Sequence, residues 1–450
     1  MVAQINRIKM TGVIRKLLIV IGMTAVFAFD AVAATPSLLI DDETQSLLDH
    51  ILRPIFKVAD VPYDKNKIHI INDMSLNAFV SDGNHMFINT GTLIKAANVN
   101  ELTGILAHET GHIAGGHILR QKLNAENLQM LSAISLITAG TVAAASGQAD
   151  AAIAVALGTQ GSLINAMTAF QLGEERAADE SAVKYLNATY QSPEGLKNFM
   201  KTIQKNNRLS GYDETPYFKT HPMSAERLAF FEKKAKESKG TTASAYDKDF
   251  EFVRAKLIAF LLPENQVMRK YSADMTGDAA DYARAIVAFR TQNFTSSVAL
   301  LDKLIRKYPN NPYFYQMKGE VLFTKGKIRQ AQQIYQKALA LKPDGEEIVL
   351  SYTECTLEMP EHRRYLSSVI ALLNRAQIDH ETARGWELLA KAYYEKGDKA
   401  ESMYALAKYS YALGRFETAK QQIKEAWQLN PPEGLSLKLK DFENELGQGE

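Results

Sequence analysis

The sequence predicts a mostly α protein in two parts, an N-terminal α+β domain with a small sheet and a C-terminal α-solenoid. Apolar residues recur at helical spacing over most of the chain, and short strand-like runs gather between Ile68 and Asn89. Toward the C-terminus, small and aromatic residues return at a roughly 34-residue period. At 450 residues the chain exceeds one ordinary core, so two domains are expected. A hydrophobic content of 46% is enough to fill them. The formal net charge of +1 provides no strongly basic surface, so nucleic acid is not expected as a partner.

Residues 1–34 read as an export signal, set apart from the fold. Arg7, Lys9, Arg15 and Lys16 are basic, Leu17 to Phe29 is apolar, and Ala31-Val32-Ala33-Ala34 supplies small residues for cleavage. The mature chain is expected to begin at Ala34 or Thr35. The apolar run is short for a membrane anchor. Cys355 is the one cysteine, which excludes an intramolecular disulfide and any thiolate-built metal site.

The first domain is expected over 35–240. Thr35 to about Arg53 alternates as an amphipathic helix, stopped by Pro54. Strands follow at Ile68 to Ile71, Ala78 to Val80 and Met86 to Asn89, the last two separated by Asp82-Gly83-Asn84. The Met86 to Asn89 strand leads toward the next helix. It could lie at the lip of a cleft and pair with an extended substrate, or be an ordinary internal strand.

Leu102 to Arg120 carries the chemistry. Asn98 and Glu101 make a helix start signal, and Val99, Leu102, Ile105, Leu106 and Ile113 keep helical spacing. Within it, His108, Glu109 and His112 form H-E-x-x-H. Residues four apart share a helix face, so both imidazoles can reach one metal ion with Glu109 beside it. Catalytic zinc usually takes three protein ligands and a water. A third histidine in the metzincin pattern belongs at position 118, which is Ile118. His117 falls one short, and on a continuing helix it points away from the other two, unless Gly115 and Gly116 break the helix and redirect it.

Between Glu126 and Asp150, and again from Ala151 to Gly173, no residue is charged. Frequent Ser, Thr, Gln and Gly favour a lid or peripheral membrane contact over a membrane span. The next helix, Phe170 to about Tyr190, carries Glu174, Glu175 and Asp179. Glu175 and Asp179 lie one turn apart beside Ala177 and Ala178, so one carboxylate can bind metal while the other orients a ligand. In the form of H-E-x-x-H enzyme that takes its third ligand from a later helix, Glu175 fits.

Lys233 to about Lys248 is polar and small, a linker with the domain boundary inside it. Beyond it, over 241–450, Gly319, Gly326, Ala331, Tyr335, Ala338 and Pro343 fall at helix-turn-helix repeat positions, and Pro309 lies one period before Pro343. Gly414, Ala419, Ala426 and Pro431 match again, and Trp386, Leu389 and Tyr393 start another repeat. Residues 346–380 keep the helical pattern and lose the signature. Stacked repeats of this kind form an extended concave surface suited to a peptide or protein partner.

Together, H-E-T-G-H, E-R-A-A-D at Glu175 to Asp179, T-H-P-M-S-A-E-R-L at Thr220 to Leu228, and the repeat array resemble the BepA-like group of the Ste24 and HtpX type of zinc metallopeptidase. The resemblance implies a zinc-peptidase domain followed by TPR repeats. It implies one zinc ion held by His108, His112 and Glu175, with His221 near the metal, either steadying the oxyanion or plugging a resting site. Glu109 would be the general base, and Asp179 would hold a ligand imidazole. Arg227 would pair with a nearby carboxylate or lie on the surface. The family's activity is periplasmic degradation of misassembled outer-membrane proteins, with the repeats engaging the outer-membrane assembly machinery. A chaperone or assembly factor with a shut metal site is the alternative.

Overall fold

The computed structural model describes residues 37–123, 170–210, 216–217, 221–222, 224–379 and 381–448. The expected export signal and residues 127–169 of the uncharged stretch lie outside them. Among the described residues, no helix is long and apolar enough to cross a membrane.

Helix α1 spans Asp42–Val58, and Asp41 caps it by accepting from the Thr44 N–H at 3.1 Å. It does not stop at Pro54, which sits inside it. The residues beyond explain why. Ile55 and Phe56 are buried in the core, and burying two such side chains contributes about 1.5–3 kcal/mol each. That offsets the roughly 3 kcal/mol that an internal proline costs.

Strands β1 (Ile68–Ile71), β2 (Ala78–Ser81) and β3 (His85–Asn89) form a sheet of order β1-β3-β2. β3 is parallel to β1, with Ile68 opposite Met86, and antiparallel to β2, with Ala78 opposite Ile88. β3 is therefore central, and its backbone is paired on both sides. Of the two readings of this strand, the internal one holds; among the described residues β1 and β2 are the outer strands, and Leu38 bridges Ile71 on the far side of β1. Period-2 alternation puts Ile68, Ile70, Ala78, Val80, Met86 and Ile88 on the buried face. The turn between β2 and β3 uses left-handed Gly83 (φ 73°) and Asn84 (φ 64°).

After the short α2 (Thr90–Lys95), α3 runs Val99–Gly115. The Asn98 side chain accepts from the Glu101 N–H at 3.1 Å, and Glu101 in turn accepts from the Ala97 N–H at 2.9 Å. Unlike an amphipathic surface helix, α3 is buried on all sides, because α4 (170–188) and α5 (Glu194–Ser210) also pack against it. Two glycines allow the close approach. A Cβ at Gly104 would sit 2.7 Å from the Leu196 Cβ, and one at Gly111 would sit 2.9 Å from the Ala178 carbonyl oxygen. The second contact sets α4, with Glu175 and Asp179, against the H-E-x-x-H turn.

Helix α6 (Ala225–Glu237) is capped by Ser224, and α7 (Asp247–Leu261) begins past a short non-helical connection. The apolar core does not end there. Phe250, Val253 and Ile258 of α7 share it with Leu48, Ile51 and Leu52 of α1 and Leu106 of α3. It extends to Tyr282, Leu301 and Phe314 in the helices that follow.

Those helices are α8 (Glu264–Lys270), then the antiparallel pairs α9 (Asp278–Arg290) with α10 (Phe294–Lys307), and α11 (Pro312–Thr324) with α12 (Ile328–Leu341). They continue as α13 (Glu346–Leu357) with α14 (Leu366–Asp379), α15 (Ala383–Lys396) with α16 (Lys399–Ala412), and α17 (Phe416–Gln428) with α18 (Glu433–Gln448). Residues 346–379 pair as helices although they lack the repeat signature. In α11, a Cβ at Gly319 would lie 2.6 Å from the Tyr335 ring, which accounts for that small and large residue pairing. The fold is thus mostly α, with one small sheet ahead of a helical repeat region.

Candidate metal centre

Three elements meet at the H-E-x-x-H turn of α3. His108 and His112 come from α3, Glu175 from α4, and His221 from the segment before α6. All four are buried, and one ligand atom from each lies within 4.8 Å of the others. The His112 and His108 Nε2 atoms are 3.1 Å apart, and His108 Nε2 is 3.3 Å from His221 Nδ1. Glu175 completes the set, with Oε2 3.4 Å from His108 Nε2, and Oε1 3.3 Å from His112 Nε2 and 3.0 Å from His221 Nδ1.

Donor atoms about 2.0–2.1 Å from one zinc ion in a tetrahedron stand about 3.3–3.4 Å apart; the contacts here run from 3.0 to 3.4 Å, with all four donors within 4.8 Å of one another. Three imidazole nitrogens turned toward one another and toward a carboxylate are what a cation requires. Glu109 agrees with that reading. It is fully buried, its Oε1 is 3.5 Å from His221 Nε2, and neither of its oxygens is hydrogen-bonded among the described residues. A carboxylate in that position is costly unless something polar works against it. The residues fit zinc.

The electrostatics follow from burial and from Arg227. Burial pushes His112 down to about 3, which keeps it the neutral imidazole that metals bind. Burial alone would raise Glu175, but the ring nitrogens of His108, His112 and His221 gathered around its carboxylate hold it well below the carboxylate range. Glu109 is pushed up by burial. Asp179 places Oδ1 2.9 Å from His108 Nδ1, on the side of the ring away from the cluster.

Arg227 is not a surface residue. It is 3% exposed and donates from Nε and Nη2 to Asp179 at 2.6 and 2.8 Å. Its Nη1 is 2.9 Å from Glu175 Oε2 and donates to the Pro222 carbonyl at 2.8 Å. One guanidinium thus holds both carboxylates and the segment that carries His221.

His117 lies outside the donor set, with its ring behind His112. Two contributors carried no signal in the sequence. The Tyr217 ring lies against His221, tilted by 32° at 4.6 Å between centroids, and His221 donates its backbone N–H to the Tyr217 carbonyl at 2.8 Å. Arg120 reaches back to Glu174.

Residues 42–235 match the model of peptidase family M48, and residues 300–333 match a tetratricopeptide repeat. The chain is a zinc metalloprotease whose peptidase domain is followed by tetratricopeptide repeats. It is 24% identical over 378 residues to the beta-barrel assembly-enhancing protease of Yersinia pestis, covering 79% of this chain and 75% of that protein. With the protein of the same name from Escherichia coli (strain K12) it shares 21% over 367 residues, 78% of this chain and 72% of the other. The mitochondrial metalloendopeptidase OMA1 of Schizosaccharomyces pombe is 25% identical over 214 residues, 47% of this chain and 60% of that protein.

Proposed function

We propose that the protein is an exported, periplasmic endopeptidase that cleaves misassembled β-barrel proteins of the outer membrane, using its repeats to engage clients or the assembly machinery. The observation that carries the catalytic part is the buried set of four donor atoms with the Glu109 carboxylate beside it, which has no hydrogen bond among the described residues. The client class rests on the names of the relatives, and the location on the basic, apolar and small-residue order of residues 1–34.

His108, His112 and Glu175 would hold the metal, and zinc so bound acidifies water and polarises a peptide carbonyl. Glu109 takes the proton from the attacking water and delivers it to the leaving amine; its raised proton affinity suits both halves of that transfer. Asp179 holds the His108 ring by its far nitrogen, and Arg227 holds Asp179 and Glu175 in register. His221 supplies a fourth donor. Four protein donors close a zinc site whereas three leave room for substrate, so we read this as a resting form from which His221 withdraws. That reading also covers an assembly factor whose site is mostly shut.

The experiment compares the wild type with Glu109→Gln and His221→Ala on an unfolded outer-membrane β-barrel and on a folded control. Glu109→Gln is expected to keep zinc and lose about 10²–10⁴-fold in turnover, and His221→Ala to cleave faster than the wild type. Undiminished cleavage by Glu109→Gln sinks the protease mechanism. Slower cleavage by a zinc-loaded His221→Ala makes His221 a participant in catalysis rather than a plug.

A further inference from the structure

Both histidines of the motif use their second ring nitrogen, and they use it differently. His108 turns Nδ1 toward a carboxylate, Asp179, at 2.9 Å. His112 turns Nδ1 toward another imidazole, 2.8 Å from His117 Nδ1, with the rings nearly perpendicular and 4.8 Å apart. His117 is 1% exposed, and its Nε2 is 2.8 Å from Glu174 Oε2. Arg120 then grips Glu174 with two hydrogen bonds, Nε to Oε1 at 2.9 Å and Nη2 to Oε2 at 2.6 Å.

We propose that His117 is a positioning residue for the peptidase reaction, fixing the orientation and tautomer of His112 through a chain that ends at Glu174 and Arg120. The inference rests on the reading of His112 as a zinc ligand. The direction of each hydrogen bond follows from the far end. Glu174, paired with a guanidinium, is a carboxylate and can only accept. His117 must then carry its proton on Nε2, which leaves Nδ1 of the neutral ring as a lone pair. Two ring nitrogens 2.8 Å apart share one proton, so it comes from His112 Nδ1. A neutral His112 protonated there has its lone pair on Nε2, the atom that faces His108 and Glu175.

The backbone around His117 allows this geometry. α3 ends at Gly115, and Gly116 is left-handed at φ 63°, so the chain is redirected before helix resumes over 117–123 and His117 is not carried round α3. The His117 ring then folds over Gly115, where a Cβ would lie 2.1 Å from its Nε2. Arg120 also donates to the Gly115 carbonyl, which holds the turn closed. A side chain at position 115 and this placement of His117 exclude each other.

The test uses the full chain with His112→Ala, His117→Ala and His117→Asn, read by zinc affinity in chelator competition and by ¹⁵N shifts of labelled histidine rings in the zinc-loaded protein. His117→Ala is expected to weaken zinc about 10–100-fold, the usual effect of losing a group that orients a metal ligand. His117→Asn, which keeps an acceptor near the position of Nδ1, is expected to recover most of that loss. In the wild type, the His112 ring should report its proton on Nδ1. If His112→Ala lowers zinc affinity while His117→Ala does not, the positioning role is wrong and the metal reading stands. If His112→Ala leaves zinc affinity unchanged, the metal reading itself fails. A His112 proton found on Nε2, or a His117→Asn protein as weak as His117→Ala, also overturns the proposal.

Discussion

Asp42 caps a helix that begins more than three hundred positions further along the chain: its Oδ2 accepts from the backbone N–H of Ile348 at 3.1 Å. Oδ1 of the same carboxylate accepts from the Glu346 N–H at 3.0 Å. Helix α13, which starts with Gly345 at its cap position, has no side-chain cap of its own. The first turn of α1 therefore does for a repeat helix what an adjacent Ser or Asp ordinarily does. Tyr313 adds a bond to the Asp42 carbonyl at 3.2 Å, Tyr282 donates to Glu43 at 3.0 Å, and Lys256 pairs with Asp41 and lies 3.5 Å from Glu43.

Replacing Asp42 with Ala is expected to destabilise the chain by about 0.5–2 kcal/mol, the range for a lost cap. Thermal melting should shift down by about 2–4 °C per kcal/mol. Hydrogen exchange should rise first at the Glu346 and Ile348 amides. Unchanged protection at those two amides would mean the cap is replaced by water.

The same seam makes stability depend on pH. Burial and the neighbouring Glu347 carboxylate raise Asp42 from 3.8 to about 7, and burial raises Glu43 from 4.5 to about 7. A native state that holds protons the unfolded chain releases is stabilised at low pH. The contribution is therefore complete below about pH 4, declines as pH rises, and is gone above about pH 7. Asp41 acts in the opposite sense, because Lys256 outweighs its burial and lowers it. Urea midpoints measured from pH 4.5 to 8 should fall less steeply with pH in Glu43→Gln than in the wild type. Parallel slopes would show that Glu43 is ionised throughout.

Arg227→Met should be among the most damaging single changes near the site. It leaves two buried carboxylates, Asp179 and Glu175, without their cation, and breaking such a pair costs about 3–5 kcal/mol. Arg227→Lys restores the charge without the fork that reaches both, so it should rescue folding more than zinc affinity. Equilibrium unfolding together with zinc competition separates the two effects.

Gly111→Ala introduces a Cβ 2.9 Å from the Ala178 carbonyl, so α4 must move away from α3. That movement carries Glu175 and Asp179 with it. Zinc affinity should drop about tenfold or more while α3 itself becomes a better helix. Wild-type zinc binding in Gly111→Ala would show that α4 has slack at this contact.

Some of these features were legible in the sequence because they are local. Histidines four apart on a helix share a face wherever that helix lies, so His108 and His112 could be paired, and Glu109 set beside them, without knowing the fold. The alternation in β1 to β3 and the recurrence of Gly319, Tyr335 and Pro343 are readable for the same reason, since period and packing partner lie within one or two elements. Glu175 and Asp179 stood out by lying one turn apart on a later helix, and the resemblance carried by E-R-A-A-D and T-H-P-M-S-A-E-R-L joined them to α3 and added His221.

The sequence by itself determined which residues could make a two-histidine metal turn, a short sheet and a helical repeat array. Tertiary structure decided the rest, because those contacts join elements with no common period. The left-handed break in the helix at Gly116 decided where His117 points, and burial between α4 and α6 turned Arg227 from a surface cation into the clamp on two carboxylates. Pairing on both sides made β3 internal. The packing of α1 beneath the repeats let Ile55 and Phe56 carry the helix past Pro54 and brought Asp42 to the start of α13. Each outcome depends on what lies across the contact, and no residue states that about its own distant neighbour.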